Sequence, residues 1–167
     1  WAIEQGKNPL MRIVLAGLAA GLTLQTALAQ GGNRGVVMMN HLGVNVPDVP
    51  QAVSYYAQKM GYKEAFRVTD DKGQPTLVYM QISQNTFLEL NQANAQRPAG
   101  VTHYGLVVEK AADAVRMFRE RGLTVTDATV SAGTKAVLAN VTDPYMGRIE
   151  LVEITSESAH RKAIDAW

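Results

Sequence analysis

Two histidines and two glutamates occupy matching places in two copies of one sequence pattern. The first copy contains Asn40-His41-Leu42-Gly43 and closes on Phe87-Leu88-Glu89-Leu90, and the second contains Thr102-His103-Tyr104-Gly105 and closes on Ile149-Glu150-Leu151. The histidines lie 62 residues apart and the glutamates 61, so the copies keep nearly the same register. Imidazole nitrogens and carboxylate oxygens are ordinary ligands of Zn, Ni, Fe and Mn. The duplication therefore predicts one metal site built from His41, Glu89, His103 and Glu150.

The surroundings of the glutamates favour the same interpretation. If residues 86–90 form a strand, Glu89 shares a face with Phe87, while Leu88 and Leu90 face the other way. An acid among large apolar residues is costly to bury unless it is paired or bound to a cation. One such glutamate alone would be assigned to the solvent face of an edge strand, and one histidine alone to a structural role. Their occurrence at symmetric positions in two copies favours a shared site.

Each copy predicts five elements in the order β-α-β-β-β. The expected strands of the first copy are 38–46, 66–69, 76–82 and 86–90, and those of the second are 103–108, 125–130, 136–141 and 148–154. Asp48 and Gly61 should begin and end the first helix, and 111–121 should form the second. The inward residues should be Val49, Ala52, Val53, Tyr56 and Met60 in the first helix, and Ala114, Val115 and Phe118 in the second. The fold class predicted is α+β, with two βαβββ modules.

The N-terminal segment has the pattern of an export signal. Met11-Arg12 precedes an apolar run that is short for a membrane span, and Ala27-Leu28-Ala29 fits a signal peptidase site. We therefore expect residues 1–10 to be upstream of the natural start and 11–29 to be a signal peptide. Cleavage would leave Gln30 as the first residue of a periplasmic or secreted protein without a stable membrane anchor.

The rest of the chain divides at its polar and glycine-rich stretches. We expect a flexible lead-in at 30–37, the first module at 38–91, a linker at 92–101 and the second module at 102–155. Residues 156–167 should form a helical tail docked on the sheet or on a partner chain, with Ala159, Ala163, Ile164 and Trp167 on one side. The sequence leaves open whether the modules pair within one chain or across a homodimer.

Composition limits the partners and the chemistry. Removing residues 1–29 takes away Lys7, Arg12 and Glu4, which leaves equal numbers of basic and acidic side chains. Without a basic patch, nucleic acid is not an expected partner, and a small-molecule substrate is. The chain has no cysteine, which excludes disulfides, thiolate metal ligands and a cysteine nucleophile.

The motifs resemble the vicinal oxygen chelate superfamily, which includes glyoxalase I, extradiol dioxygenases, fosfomycin-resistance proteins and bleomycin-binding proteins. The resemblance covers about residues 39–154 and rests on Asn40-His41-Leu42-Gly43, Phe87-Leu88-Glu89-Leu90, Thr102-His103-Tyr104-Gly105 and the segment from Asp143 to Leu151. Glyoxalase I is the member it most resembles. The resemblance implies a curved eight-stranded sheet around a metal-binding cavity, where His41, Glu89, His103 and Glu150 hold one divalent ion.

The resemblance also implies an activity. Such an ion can bind two adjacent substrate oxygens and stabilise the enediolate formed when a neighbouring C–H proton leaves. Glu150 is then the candidate base and Glu89 the second carboxylate, which makes the protein a lyase or isomerase. Asn45 stands where bacterial glyoxalase I usually has an arginine that grips glutathione, and the turn at 143–147 departs from the usual sequence. The resemblance to glyoxalase I therefore supports its metal chemistry for this protein better than it supports glutathione as the thiol substrate.

Two other functions fit the same fold. A ring-cleaving dioxygenase needs two histidines, one carboxylate and open metal positions, so Glu89 would occupy a position that this chemistry requires. A non-catalytic binding or resistance protein typically lacks the ligands, whereas this sequence has all four. Glu89 therefore disfavours the dioxygenase, and the complete ligand set favours an enzyme over a binding protein.

Overall fold

A computed structural model of the chain describes residues 35–167. The predicted upstream segment and signal peptide lie outside the described residues, as does most of the predicted lead-in. The predicted end of the lead-in at residue 37 is wrong, because residues 36 and 37 already belong to the first strand.

The described chain contains eight strands and three helices. The strands are β1 (Val36–Val46), β2 (Lys63–Thr69), β3 (Pro75–Ser83), β4 (Thr86–Gln92), β5 (Gly100–Val108), β6 (Thr129–Val130), β7 (Val137–Asp143) and β8 (Gly147–Glu153). The helices are α1 (Val49–Met60), α2 (Ala111–Glu120) and α3 (Ala159–Asp165). The order β-α-β-β-β occurs twice before α3, which confirms the predicted α+β class and its repeated unit.

All eight strands form one open mixed sheet in the order β2-β3-β4-β1-β5-β8-β7-β6. Within each module the first and last strands are parallel neighbours, β1 beside β4 and β5 beside β8. The two modules meet through the antiparallel pair β1 and β5. The modules therefore pair within one chain, and the four strands that carry the predicted ligands are the central four of the sheet.

Local sequence explains where α1 begins and ends. The Asp48 carboxylate accepts a hydrogen bond from the backbone N–H of Gln51 at 2.8 Å, and Gly61 ends the helix with φ of 71°. Both ends agree with the sequence prediction. Met60 was expected to face inward, but it is 51% exposed and lies outside the apolar cluster beneath α1. Met60 is the last residue of the helix, and it lies beyond the apolar residues of α1 that pack on the sheet.

The sheet separates an apolar face from the face that carries the predicted ligands. Leu88 and Leu90 pack with α1, and Leu151 packs with α2. Because strand neighbours point to opposite sides, Glu89 and Glu150 lie on the other face. The apolar packing of two helices on one side thus fixes which side the acids occupy.

The expected strand at 125–130 is mostly wrong. Only its last two residues form β6, and Val125 contributes one isolated bridge to Val141. The Arg119 guanidinium donates to the Val125 carbonyl at 2.7 Å, and the Thr126 hydroxyl accepts from the backbone N–H of Asn140 at 2.9 Å. Side chains therefore bind a carbonyl and an N–H group that would pair with a neighbouring strand in a regular sheet.

Helix α3 crosses from the end of the second module to the sheet of the first. Its buried Ala163 and Ile164 pack with Tyr79 and Phe87 of β3 and β4. The tail thus docks on its own sheet, one of the two positions expected from the sequence. Trp167, which was expected on the inward side, is 56% exposed.

None of the helices in the described part of the chain is long and apolar enough to cross a bilayer.

Candidate metal centre

The four residues predicted from the repeat converge at the centre of the sheet. One potential ligand atom from each of His41, Glu89, His103 and Glu150 lies within 4.8 Å of the others, and all four residues are buried. The two histidine Nε2 atoms are 3.1 Å apart, and Glu89 Oε2 lies 3.3 Å from each of them. Glu150 Oε2 lies 3.6 Å from Nε2 of His41.

These spacings suit ligands of a single metal ion. An ion with metal–ligand distances of about 2.0–2.2 Å brings neighbouring ligand atoms to about 3.0–3.5 Å from one another. Two imidazole nitrogens and two carboxylate oxygens also form a donor set that several divalent ions accept. The residues therefore fit the predicted divalent ion.

The glycines two residues after each histidine make room for the opposite imidazole. In the β1–β5 ladder Gly43 lies opposite His103, and Gly105 lies opposite His41. A Cβ atom at Gly43 would overlap the ring of His103, and one at Gly105 would overlap the ring of His41. Residue patterns along the strands predict no role for these glycines, although their repetition in both motifs is a visible sign of one.

The residue before each histidine holds the outer ring nitrogen. Asn40 Oδ1 lies 2.8 Å from Nδ1 of His41, and Thr102 Oγ1 lies 2.8 Å from Nδ1 of His103. If Nδ1 of His41 donates to Asn40, its Nε2 lone pair points at the cluster. Burial lowers the pKa of His41 to about 3, with smaller opposing and reinforcing effects of nearby charges, so the ring is neutral at pH 7. A neutral, oriented imidazole is what a metal ligand requires.

Two hydrogen bonds hold the Glu89 carboxylate. The Tyr79 hydroxyl donates to Oε2 at 2.7 Å, and the Asn91 amide donates to Oε1 at 2.7 Å. Burial acts to raise the pKa of Glu89, but the close contacts with His103 and His41 and the hydrogen bond from Asn91 outweigh burial and hold that pKa below its usual value. Burial also raises the pKa of Tyr79 well above its usual value, so this phenol stays protonated and able to donate. Glu89 is thus a fixed, ionised carboxylate.

The Glu150 carboxylate is held much less firmly. Its Oε2 lies 3.6 Å from Nε2 of the neutral His41 and its Oε1 lies 3.6 Å from Nη1 of Arg148, and within residues 35–167 it has no hydrogen bond. Burial and the negative charge of Glu89 raise its pKa to about 7, against the opposing effects of His103 and Arg148. The two glutamates of the repeat are therefore equivalent in sequence position and different in environment.

Other polar residues near the cluster were not anticipated from the sequence. Arg148 lies beside His103 and Glu150. In the sequence, only its position two residues before Glu150, on the same face of the strand, indicates that it lies near the cluster. His160 of α3 is buried against the aromatic rings of Phe66, Tyr79 and Phe87. Neither belongs to the metal-binding set.

Asn45, the residue that departs from the glyoxalase I pattern, has a structural contact. It is buried, and its side-chain amide donates to the carbonyl of Pro98 at 3.0 Å. It therefore ties β1 to the linker between the modules.

Family and structural comparisons agree with this geometry. The family model described as Glyoxalase/Bleomycin resistance protein/Dioxygenase superfamily matches residues 38–151, which contain all four clustered residues. The chain belongs to this superfamily. The resemblance noted from the sequence motifs is thus confirmed at the level of the family. A comparison with curated proteins gave no match.

Solved structures share the fold at low sequence identity. Methylmalonyl-CoA epimerase from Mycobacterium tuberculosis has a TM-score of 0.60 and 17% identity, covering 73% of this chain and 91% of that one. A Streptomyces coelicolor methylmalonyl-CoA epimerase variant in complex with 2-nitronate-propionyl-CoA has a TM-score of 0.63 and 15% identity, with coverages of 74% and 98%. The 2,3-dioxygenase LapB from Pseudomonas sp. KL28 has a TM-score of 0.56 and 21% identity, with coverages of 73% and 42%.

Proposed function

We propose that this superfamily member is a metal-dependent lyase or isomerase of glyoxalase type that catalyses proton transfer on a small substrate with two adjacent oxygens. His41, Glu89, His103 and Glu150 would hold one divalent ion. The observation that carries the proposal is the contrast between the two carboxylates in one buried cluster. Glu89 accepts two hydrogen bonds, whereas Glu150 accepts none within residues 35–167.

The residues divide the chemistry between them. A bound divalent ion supplies stabilisation of negative charge on the substrate oxygens. Glu89 stays in place because Tyr79 and Asn91 hold it. Glu150 has the freedom to turn towards a substrate C–H, and a general base works best when its pKa is near the operating pH. Burial and the negative charge of Glu89 act to raise the pKa of Glu150, and a bound cation would act to lower it.

The environment of Glu89 disfavours a ring-cleaving dioxygenase. That reaction needs one carboxylate and open metal positions. Glu89 Oε2 lies 3.3 Å from both histidine Nε2 atoms, within the spacing of a fourth ligand. The solved relatives bear both epimerase and dioxygenase names, and at 21% identity or less they share only the fold. The position of Glu89 is therefore the argument that separates the two reactions.

Metal content is the first test. Elemental analysis of the purified protein should find about one divalent ion per chain, and the ion found identifies the cofactor. His103→Ala removes one ligand and should sharply lower metal occupancy. His160→Phe is the matched control, since it replaces another buried histidine outside the cluster by a ring of similar size. Equal metal content in both variants would refute the site.

Catalysis can be tested before the substrate is known. The metal-loaded protein should be incubated in D₂O with small 2-hydroxycarbonyl and dicarbonyl compounds, and loss of the C–H signal followed by ¹H NMR. Deuterium incorporation without oxygen consumption supports a lyase or isomerase. Oxygen consumption with a catechol would instead support the dioxygenase, and binding without turnover of any compound would favour a binding protein.

Export is part of the proposal. The pattern at residues 11–29 supports a periplasmic or secreted location. It bears on the substrate, because little glutathione is expected outside the cytoplasm.

A further inference from the structure

A cavity outside the candidate metal centre lies between helix α3 and the edge strand β2. Its volume is about 300 Å³, at the lower end of the range of about 300–1,000 Å³ that small-molecule sites occupy. None of the four clustered residues lines it. The cavity therefore has the size for a small ligand, and the reaction proposed above does not use it.

The spacing of residues along α3 builds one wall of the cavity. Ala159, Lys162, Ala163 and Ala166 all line it, and they follow the pattern i, i+3, i+4, i+7, which places them on one face of a helix. Three of these four side chains are single methyl groups. This face of α3 is therefore too short to fill the space between the helix and the sheet.

Strands β2 and β3 supply the opposite wall. Lys63 lies opposite Gln81 in the β2–β3 ladder, and Ala65 and Phe66 continue the wall along β2. Protein interiors are packed with few voids larger than a water molecule, so a space of this size between two packed elements is unusual. Small side chains on both walls keep it open.

Hydrogen bonds hold α3 at this distance from the sheet. The backbone N–H of Ala159 donates to the carbonyl of Thr134 at 2.8 Å, and the Gln81 amide donates to the carbonyl of Ala163 at 3.3 Å. The Lys63 ammonium group lies 3.5 Å from the carbonyl of Ala166 at the end of the helix. Both ends of α3 and its middle are thus attached on the cavity side.

The charged residues that line the cavity are two lysines. Lys63 contacts the carbonyl of Ala166, and Lys162 precedes Ala166 by one helical turn. Both lysines therefore lie towards the C-terminal end of α3. No acidic side chain is among the residues that line the cavity.

The neighbouring acids do not neutralise these lysines. Glu64, next to Lys63 in sequence, pairs with Arg67, and Asp165, three residues after Lys162, pairs with Arg161. Within residues 35–167, neither lysine has a carboxylate at ion-pair distance. The positive charge at this end of the cavity is therefore available to an anion.

The inner part of the lining suits an apolar group instead. Gln81 is 1% exposed, and its Nε2 donates to the carbonyls of Gln84 and Ala163. The Oε1 atom has no hydrogen-bond partner within residues 35–167, and an acceptor of this kind does not attract an anion. The other inner residues are alanines and Phe66, whose surfaces are apolar. A ligand with an anionic and an apolar end thus has one orientation.

We propose that the cavity between α3 and β2 binds a small organic carboxylate, with its charge at Lys63 and Lys162 and its apolar body against the alanines and Phe66. Two ammonium groups offer donors for both oxygens of one carboxylate. Burial of the apolar body removes hydrocarbon surface from water, which adds to the affinity. This site is independent of the metal chemistry, because no candidate metal ligand lines it.

Three probes separate the charge from the apolar body. 3-Phenylpropionate has both features, 3-phenylpropionamide has the body without the charge, and acetate has the charge without the body. Titrations of the full chain, labelled with ¹³C at its alanine methyl groups, can be followed by NMR. With 3-phenylpropionate the methyl signals of Ala65, Ala159 and Ala163 should shift, and that of Ala52 on α1 should not. The other two probes should each bind about tenfold more weakly.

A chelator distinguishes this site from the candidate metal centre. Titrations of 3-phenylpropionate with and without EDTA should give the same dissociation constant and the same pattern of shifts. Shifts that disappear in EDTA would show that the carboxylate binds through a metal ion, which would overturn the proposed cavity site and support the metal centre.

A lysine substitution tests the charged end. Lys162→Met removes an exposed ammonium group without a carboxylate partner in residues 35–167, and it should weaken binding of 3-phenylpropionate by about tenfold. Lys59→Met is the matched control, because Lys59 is also an exposed lysine in the last turn of a helix but does not line the cavity. It should leave the affinity unchanged, and circular dichroism checks that both variants fold.

Filling the cavity tests the apolar end. Ala159→Leu places a larger side chain in the open space, where it should keep the fold and abolish the shifts of Ala65 and Ala163. Equal binding of 3-phenylpropionate and 3-phenylpropionamide would overturn the anionic class of ligand. Equal weakening in Lys162→Met and Lys59→Met, or no shift of the cavity methyl groups at any soluble concentration of 3-phenylpropionate, would overturn the site.

Discussion

The most informative residues in the site are the two glutamates, because identical places in the repeat have acquired different surroundings. Glu89 receives hydrogen bonds from Tyr79 and Asn91, and Glu150 receives none within residues 35–167. Under the proposed function, the environment rather than the residue type would distinguish Glu89, which only holds the ion, from Glu150, which would hold it and also act as the base. A carboxylate that is buried and weakly held keeps its proton affinity and its freedom to move.

This difference predicts unequal effects of removing each charge. Glu150→Gln keeps the side-chain shape but removes the proton acceptor, so turnover should fall by about 10²–10⁴-fold while part of the metal occupancy remains. Glu89→Gln should lose metal and activity more nearly together. Steady-state kinetics and elemental analysis on the same samples measure both quantities.

Glu153→Gln is the matched control for Glu150→Gln. Glu153 lies on the same strand but on the opposite face, where it pairs with Lys110 and the N-terminus of α2. Its replacement should leave turnover unchanged. Full metal content and full activity in Glu150→Gln would rule out the proposed base.

A second residue-scale prediction concerns the glycines that accommodate the imidazole rings. Gly105→Ala places a methyl group in the space of the His41 ring, and forcing extra volume into a packed site typically costs about 1–3 kcal/mol. The free energy of unfolding should fall by that amount in urea titrations of the metal-free protein. In a His41→Ala background the ring is gone, so the same glycine substitution should cost much less. Additive effects of the two changes would show that the glycine does not make room for the ring.

At the scale of elements, the repeat and the alternation of apolar residues were enough to predict most of the sheet. The pattern of Leu88, Glu89 and Leu90 correctly assigned opposite faces to the acids and to the residues beneath the helices. The pattern of residue types predicts a strand at 125–130, because it does not show that side chains compete with the neighbouring strand for backbone hydrogen bonds. There the Arg119 guanidinium donates to the Val125 carbonyl and the Thr126 hydroxyl accepts from the Asn140 N–H, and only part of the backbone pairing remains, such as the Thr126 N–H bond to the Asn140 carbonyl at 3.0 Å.

The four clustered residues were predictable because the duplication exposed them, and their supporting contacts were not. Tyr79 and Asn91 reach Glu89 through the β3–β4 register and along β4, and His160 arrives on α3 from the far end of the chain. Such partners depend on register and on docking, which local periodicity does not encode. The expected inward side of the tail, with Ala159, Ala163, Ile164 and Trp167, did not include His160, which is buried.

Helix α3 introduces an acid-sensitive contact. His160 is 1% exposed, both of its ring nitrogens lack a hydrogen-bond partner within residues 35–167, and burial lowers its pKa to about 4 against the opposing charge of Glu89. As the pH falls below about 6.5, the unfolded chain takes up a proton at this histidine and the folded chain does not. Its contribution to stability is therefore lost between about pH 6.5 and pH 4.

His160→Phe should remove this pH dependence. Between pH 7 and pH 4.5, the wild type should lose up to about 2–3 kcal/mol more unfolding free energy than the variant does. Urea titrations of the metal-free proteins at the two pH values provide the measurement. His41, whose pKa is lowered by burial and also by His160, is present in both proteins, so the difference reports His160 together with its effect on His41. An equal loss in both proteins would show that His160 does not enter the folded state as a neutral ring.

At the scale of the whole molecule, pairing of β1 with β5 completes the site within a single chain. Both histidines lie on that central pair, and each glutamate lies on the strand beside its own histidine. All four clustered residues therefore come from one chain. A homodimer stays a prediction.

The last prediction concerns the N-terminus, which lies outside the described residues. Export through the predicted signal peptide should leave a protein that begins at Gln30, because Ala27-Leu28-Ala29 fits the cleavage rule. Mass spectrometry of protein recovered from the periplasm should show that terminus, with or without cyclisation of the glutamine. The first described strand begins at Val36, so cleavage would leave the sheet and the four clustered residues intact. Replacing Ala29 with a bulky residue should block cleavage and leave a protein that still begins at Met11. Recovery of the unaltered chain from the soluble cytoplasmic fraction with Met11 intact would overturn export, and glutathione would then return as a candidate co-substrate.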